Sequence, residues 1–183
     1  VWRQGGRELA IAVNLSVRNL QDAQFPDRVS KIMEMINRTS KGLWLEITET
    51  AIMQDPERAQ SVLDSLDKMN VQLSIDDFGT GYSSLTYLRS LPVQEIKIDK
   101  SFVMGMFKSE NDAVIVRSII DLAHNIGMRV IAEGIEDEPT FNALVKLGCD
   151  AGQGYYFGKP MPSEEFDGWL KQSPWSAASD AAP

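Results

Sequence analysis

Carboxylates, amides and a lysine recur at one kind of place in this chain, the end of a short apolar run. In chain order they are Asn14, Glu46 with Glu49, Asp76 with Asp77, Lys97 with Asp99, Glu133 with Glu136, and Gln153. Any one of these acids alone reads equally well as a helix cap or a solvated loop charge. As a set they point to one cavity lined by oxygen ligands, and so many acids at close range raise one another's pKa unless cations neutralise them. The chain has a single cysteine, Cys149, and a single histidine, His124, which excludes an internal disulfide and any Cys- or His-rich metal site. A metal here rests on oxygen, which suits Mg²⁺ or Mn²⁺ better than Zn²⁺. Lys97 lies between Ile96 and Ile98, so by strand alternation it faces away from both, into an interior where a lysine without carboxylate partners is costly. Asp99 shares its parity and could simply pair with it. The segment DDFGTG (76–81) combines two acids with two glycines and serves equally as a turn or as a switchable loop.

The elements that must position these residues alternate regularly. Apolar runs of strand length at 9–15, 43–47, 71–75, 95–98 and 128–132 are each followed by a segment with helical spacing, at 25–37, 56–69, 84–91, 112–126 and 138–147. A weaker strand around Tyr155–Phe157 precedes a last helix over 163–171. Ser83 reads as a helix cap, His124 as a helix-end residue, Cys149 as a small buried residue, and Met33, Met35 and Met69 as core positions. From Ser173 onward the chain is Ser, Ala, Pro and Asp with one Trp. The spacing therefore predicts one domain over 1–172 and a disordered tail over 173–183.

Strand–helix units with nearly continuous apolar strands predict a parallel sheet covered by helices. A doubly wound sheet would place a Gly-rich turn after its first strand, and Asn14–Arg18 holds no glycine. The pattern fits an α/β TIM-like (β/α)₈ barrel instead. A full barrel takes about 250 residues, so about six units in 183 residues predict one truncated at its N-terminus. In such a barrel all strand C-termini open into one mouth, which brings the acids together.

The formal charge of −8 and a pI near 4.7 exclude a long nucleic acid as partner, since that binding draws on clustered Lys and Arg. No apolar run reaches membrane-spanning length, so no membrane contact is expected from this segment and a cytoplasmic location is expected for it.

Six stretches carry a resemblance: VNLS (13–16), LEITET (45–50), DDFGTGYSSL (76–85), IKIDKSFV (96–103), IAEGIED (131–137) and GCDAGQGYYFGKPMP (148–162). In this order they resemble the EAL-domain family of cyclic-di-GMP phosphodiesterases. The resemblance implies a hydrolase that opens cyclic di-GMP to linear pGpG with two Mg²⁺ or Mn²⁺ ions. By the same resemblance, Asn14, Glu46 and Asp76 ligate one ion, and Asp76, Asp77 and Glu133 the second. Lys97 positions the attacking water, Gln153 closes the site, Glu49 anchors the DDFGTG loop, and Glu136 and Asp99 lie behind the ligands. The resemblance further implies a homodimer formed through residues 77–84 and fusion to sensory or cyclase domains. The chain departs from the pattern in one respect: it contains no Glu-Ala-Leu tripeptide, whose glutamate is a metal ligand in the family. The fragment itself is therefore expected to bind metal poorly and to be inactive. A catalytically silent cyclic-di-GMP receptor is the alternative, although such a receptor is expected to lose metal or lysine positions that are all present here.

Overall fold

A computed structural model describes residues 9–35, 42–81 and 85–175. Its strands are β1 (Ile11–Asn14), β2 (Leu43–Thr48), β3 (Gln72–Phe78), β4 (Glu95–Ile98), β5 (Arg129–Glu133) and β6 (Ala151–Gln153). They form one parallel sheet in sequential order, as a barrel wall requires and a doubly wound sheet does not. The larger helices are α2 (Phe25–Met35), α4 (Pro56–Asp67), α7 (Glu110–Asn125), α8 (Glu138–Lys146) and α9 (Ser163–Gln172). Short helices α1 (Val17–Leu20), α3 (Glu49–Met53), α5 (Leu85–Ser90) and α6 (Lys100–Gly105) follow the first four strands closely.

The register explains which residues can meet. Glu46 pairs with Ser74, Ser74 with Glu95, Lys97 with Ile131, and Glu133 with Gln153, so all of these share one face of the sheet. The opposite face carries Leu45, Ile47, Leu73, Ile75, Ile96, Ile98, Val130 and Ala132, all buried in the hydrophobic core. Each Leu, Ile or Val side chain among them contributes about 1.5–3 kcal/mol when fully withdrawn from water. The wall is thus apolar toward its helices and polar toward the curl of the sheet.

Helix starts follow local chemistry. Thr48, Asp55, Asp99, Ser109 and Asp137 each accept a hydrogen bond from a backbone N–H of the first turn of α3, α4, α6, α7 and α8. Two of these caps, Thr48 and Asp99, sit at or next to a strand end, which is how a strand passes directly into a helix without a long loop.

The structure differs from the sequence pattern in four places. The last strand is Ala151–Gln153, upstream of the expected 155–157, because a Gly-containing stretch lacks the β-branched signal that marks strands. Tyr155–Phe157 form a turn instead. The expected tail begins too early: Ser173 is 8% exposed and Trp175 packs against other aromatic rings, while 176–183 lie outside the described residues. Met35 is 84% exposed rather than core. The short helices α1, α3 and α6 carry too few turns for a periodic signal. Among the described residues no helix is long and apolar enough to cross a membrane.

Candidate active site at the strand C-termini

Lys97 is the centre of the site. Its side chain is 3% exposed, and Nζ lies 2.6 Å from Glu133 Oε1, 2.9 Å from Glu46 Oε1 and 3.0 Å from Asp76 Oδ1. The four residues come from β4, β5, β2 and β3, so one ammonium ties four strands together. Burial pulls the ammonium's pKa down, but the hydrogen bonds to Glu133, Glu46 and Asp76 outweigh burial and hold it above its ordinary value. Lys97 is therefore a fixed cation. The pairing of Asp99 with Lys97 that strand parity left open is not among these contacts. Asp99 instead caps α6 through the Ser101 N–H at 2.9 Å and hydrogen-bonds the Ser101 hydroxyl.

Successive strand residues normally point to opposite faces. Asp76 and Asp77 escape this rule because the β3–β4 register shifts between Ile75 and Phe78 and Asp77 adopts φ 52°. Asp is among the few non-glycine residues enriched in that left-handed region. As a result one carboxylate oxygen each from Asp76, Asp77 and Glu133 lies within 4.8 Å of the others. Burial, then the nearby Asp76 and Asp99 charges, push the Asp77 carboxyl up. Burial also pushes Glu133 up, against the pull of Lys97. Burial raises Asp99 as well, but the Ser101 hydroxyl and N–H and then Asp77 more than compensate and hold it low.

The acids of this mouth outnumber its cation. Glu46, Asp76, Asp77 and Glu133 face one lysine, and two of the four carboxyls are displaced toward the protonated form. A three-carboxylate set of this kind matches the oxygen-only donors that hard divalent cations take. The donors present therefore fit the metals that the resemblance implies.

Beside the cluster, Glu49 is buried at the start of α3, and its Oε2 accepts from the Gly79 N–H at 3.3 Å and the Gly81 N–H at 3.2 Å. A Cβ at Gly81 would lie 2.8 Å from the Glu49 carboxyl carbon, so any larger residue there would displace the carboxylate from this position. Residues 82–84, including the expected cap Ser83, fall outside the described residues. Asn14 and Gln153 are solvent-exposed strand-end residues in register with Glu46 and Glu133, on the two edge strands. Glu136 is exposed in the β5–α8 connection and is not part of the carboxylate cluster. His124 ends α7, with Nε2 2.9 Å from Asp150 Oδ2. Cys149 is partly buried and donates toward the Val130 and Ala151 carbonyls, and burial pushes its thiol up to about 11.

Two residues beneath the site escaped the sequence reading. Glu95 is 5% exposed, and burial pushes its carboxyl up against the pull of the adjacent Ser74 hydroxyl, which is itself fully buried. The signal for Glu95 was available, since it stands two residues before Lys97 and so shares its face.

This fold and mouth define a TIM-like barrel protein whose strand ends gather acids around a lysine. The chain belongs to the EAL domain family, which matches residues 1–160. Among curated proteins it is 40% identical over 166 residues to the bifunctional diguanylate cyclase/cyclic di-GMP phosphodiesterase MucR of Pseudomonas aeruginosa, covering 90% of this chain and 24% of that protein. It is 36% identical over 171 residues to the cyclic di-GMP phosphodiesterase PdeR of Escherichia coli, covering 93% of this chain and 26% of that one. The chain thus spans about a quarter of the length of these relatives. Among solved structures, the Pseudomonas MucR phosphodiesterase in complex with c-di-GMP superposes with a TM-score of 0.87 at 40% identity, covering 90% of this chain and 67% of that one. The EAL domain of Mycobacterium smegmatis DcpA gives 0.85 at 38% identity, with coverages of 94% and 78%.

Proposed function

We propose that this chain is the catalytic part of a cyclic-di-GMP phosphodiesterase, which hydrolyses one phosphodiester of the cyclic dinucleotide to give linear pGpG. The observation that carries the reading is the buried Lys97 ammonium held by Glu46, Asp76 and Glu133, with Asp77 turned into the same mouth. Relatives named as cyclic-di-GMP phosphodiesterases, and a neighbour solved with the dinucleotide, support the substrate.

Asn14, Glu46 and Asp76 would hold one divalent ion, Mg²⁺ or Mn²⁺, and Asp76, Asp77 and Glu133 a second. Bound there, such ions supply a clamp on the attacking and leaving oxygens and an acidified water. Held by Glu133, Glu46 and Asp76, Lys97 offsets charge at the phosphate without changing its own protonation, and it would orient the attacking water once one of its three N–H groups is released from a carboxylate. Glu49 fixes the Gly79–Gly81 backbone and, through it, the left-handed turn that aims Asp77. Gln153, in register with Glu133, closes the mouth with an amide that adds no charge. Glu136 and Asp99 act behind this set, Asp99 through its contact with Asp77. The −8 chain accepts an anionic dinucleotide because cations stand between them. Pairing of two copies through residues 77–84 belongs to the same reading, as does fusion to sensory or cyclase domains in a cytoplasmic enzyme. Because no Glu-Ala-Leu tripeptide occurs in the 183 residues, the stretch alone is expected to turn over substrate poorly.

The test is cyclic-di-GMP turnover by the full-length protein with Mg²⁺ or Mn²⁺, beside Glu133→Gln and Lys97→Ala. Production of pGpG that is lost in both variants supports the reading. Tight nucleotide binding without product overturns it in favour of a receptor.

A further inference from the structure

Trp175 lies past α9 and past residue 160, where the family match ends. Its ring centroid is 5.0 Å from Phe157, 5.6 Å from Tyr156 and 5.4 Å from Phe141 of α8. Tyr156 and Phe157 are the third and fourth residues after Gln153, so this ring bears on the turn that carries the closing amide.

That turn has two sides. Toward β5 it is attached to Ile135 by two hydrogen bonds, the Ile135 N–H donating to the Gln153 carbonyl at 3.1 Å and the Tyr156 N–H to the Ile135 carbonyl at 3.0 Å. Gly154 passes so near that a Cβ there would fall 2.1 Å from the Ile135 oxygen, which leaves no freedom on this side. The turn's two rings, Tyr156 and Phe157, also pack against Phe141 of α8 and against Trp175. Strand β6 contributes little hold of its own, being three residues long and at the edge of the described sheet. A short edge strand attached by few bonds opens easily.

The segment that delivers Trp175 is itself pinned. Ser173 N–H donates to the Trp169 carbonyl at 2.7 Å, and Trp175 N–H donates to Ser173 Oγ at 3.2 Å, so the residues that lead to Trp175 stay hydrogen-bonded to the end of α9. We propose that Trp175 is a positioning residue for Gln153: the chain leaves the active-site mouth after the turn, runs through α9, and returns to press the turn against Ile135. This rests on the role given to Gln153 above. The ring does not touch the reacting atoms, so its effect reaches the reaction only through the placement of that amide.

The experiment compares the full-length parent protein with Trp175→Phe, Trp175→Leu and Trp175→Ala by amide hydrogen exchange and by cyclic-di-GMP turnover. Exchange in the peptide covering 153–157 is expected to quicken about tenfold or more in Trp175→Ala while β3 and β4 keep the parent rate. Over the same series kcat is expected to fall about ten- to a hundredfold with KM nearly constant, and Trp175→Phe to restore most of both. If Trp175→Ala unfolds, the order parent, Phe, Leu in protection of 153–157 carries the test. Equal exchange at 153–157 across the parent and the folded variants overturns the proposal, as does a turnover loss in which KM rises and kcat stays. If the parent itself makes no pGpG, the phosphodiesterase reading fails separately, and the exchange pattern alone decides whether Trp175 holds the turn.

Discussion

Replacing Lys97 with methionine keeps the length and apolar stem of the side chain and removes its charge. Three carboxylates within 3.0 Å of Nζ then lose their common partner in a site where the lysine was 3% exposed. Breaking a buried ion pair by deleting one partner costs about 3–5 kcal/mol, because the other charge stays buried. A domain of this size loses about 2–4 °C in Tm per kcal/mol, so the expected fall is roughly 6–20 °C in chelator at pH 7. Two further consequences separate this cause from ordinary loss of packing. Lower pH must shrink the deficit, since Glu133, already pushed up by burial, takes a proton more readily once the ammonium is gone. Added Mg²⁺ must shrink it too, because without the competing ammonium the variant's carboxylates bind the ion more tightly than the parent's, and each tenfold in Kd is worth about 1.4 kcal/mol. Thermal unfolding of parent and variant, with chelator and with Mg²⁺ at pH 5 and pH 7, measures all of this. A variant that melts within about 2 °C of the parent in chelator, or whose deficit ignores both pH and Mg²⁺, would refute the charge argument.

Glu49→Ala leaves the Gly79 and Gly81 N–H groups without their acceptor, so hydrogen exchange at 79–81 should quicken and turnover should fall while the global Tm drops by only a few degrees; unchanged exchange there would show that the loop is held by something else. Glu95→Gln should stabilise the fold at neutral pH. Burial raises the folded pKa of Glu95, so its favourable, protonated contribution is complete below the ordinary value of 4.5 and is lost as pH rises through the folded value. The Tm gain of the variant over the parent should therefore be larger at pH 7 than at pH 4, and an equal gain at both would mean that burial does not hold the folded pKa of Glu95 above its unfolded value.

Much of this arrangement was legible because side-chain parity survives in a parallel sheet. Lys97 between two isoleucines, and acids after apolar runs, gave both the direction of the lysine and the end of the sheet where the acids meet. Asp77 was legible as a residue but not as a geometry. Its place in the mouth depends on a register shift and a left-handed backbone, neither of which has a periodic signature. Strand β6 was misplaced because Ala-Gly-Gln carries no β preference and forms a strand only where β5 offers a partner. Trp175 was assigned to a tail on composition, which cannot register that one aromatic ring finds three others already waiting.

The two faces of the wall also determine how this protein can fail. A slip of β4 by one residue against its neighbours would turn Ile96 and Ile98 toward the carboxylates and drive Lys97 among Leu and Ile side chains under the helices. Both halves of that exchange are unfavourable, so the off-register state is penalised twice, once for hydrocarbon facing charge and once for charge facing hydrocarbon. The buried lysine thereby doubles as a proofreading device for assembly. A chain that has paired its strands wrongly cannot hide the error in a well-packed core, and a chain that has paired them correctly has already built its active-site mouth.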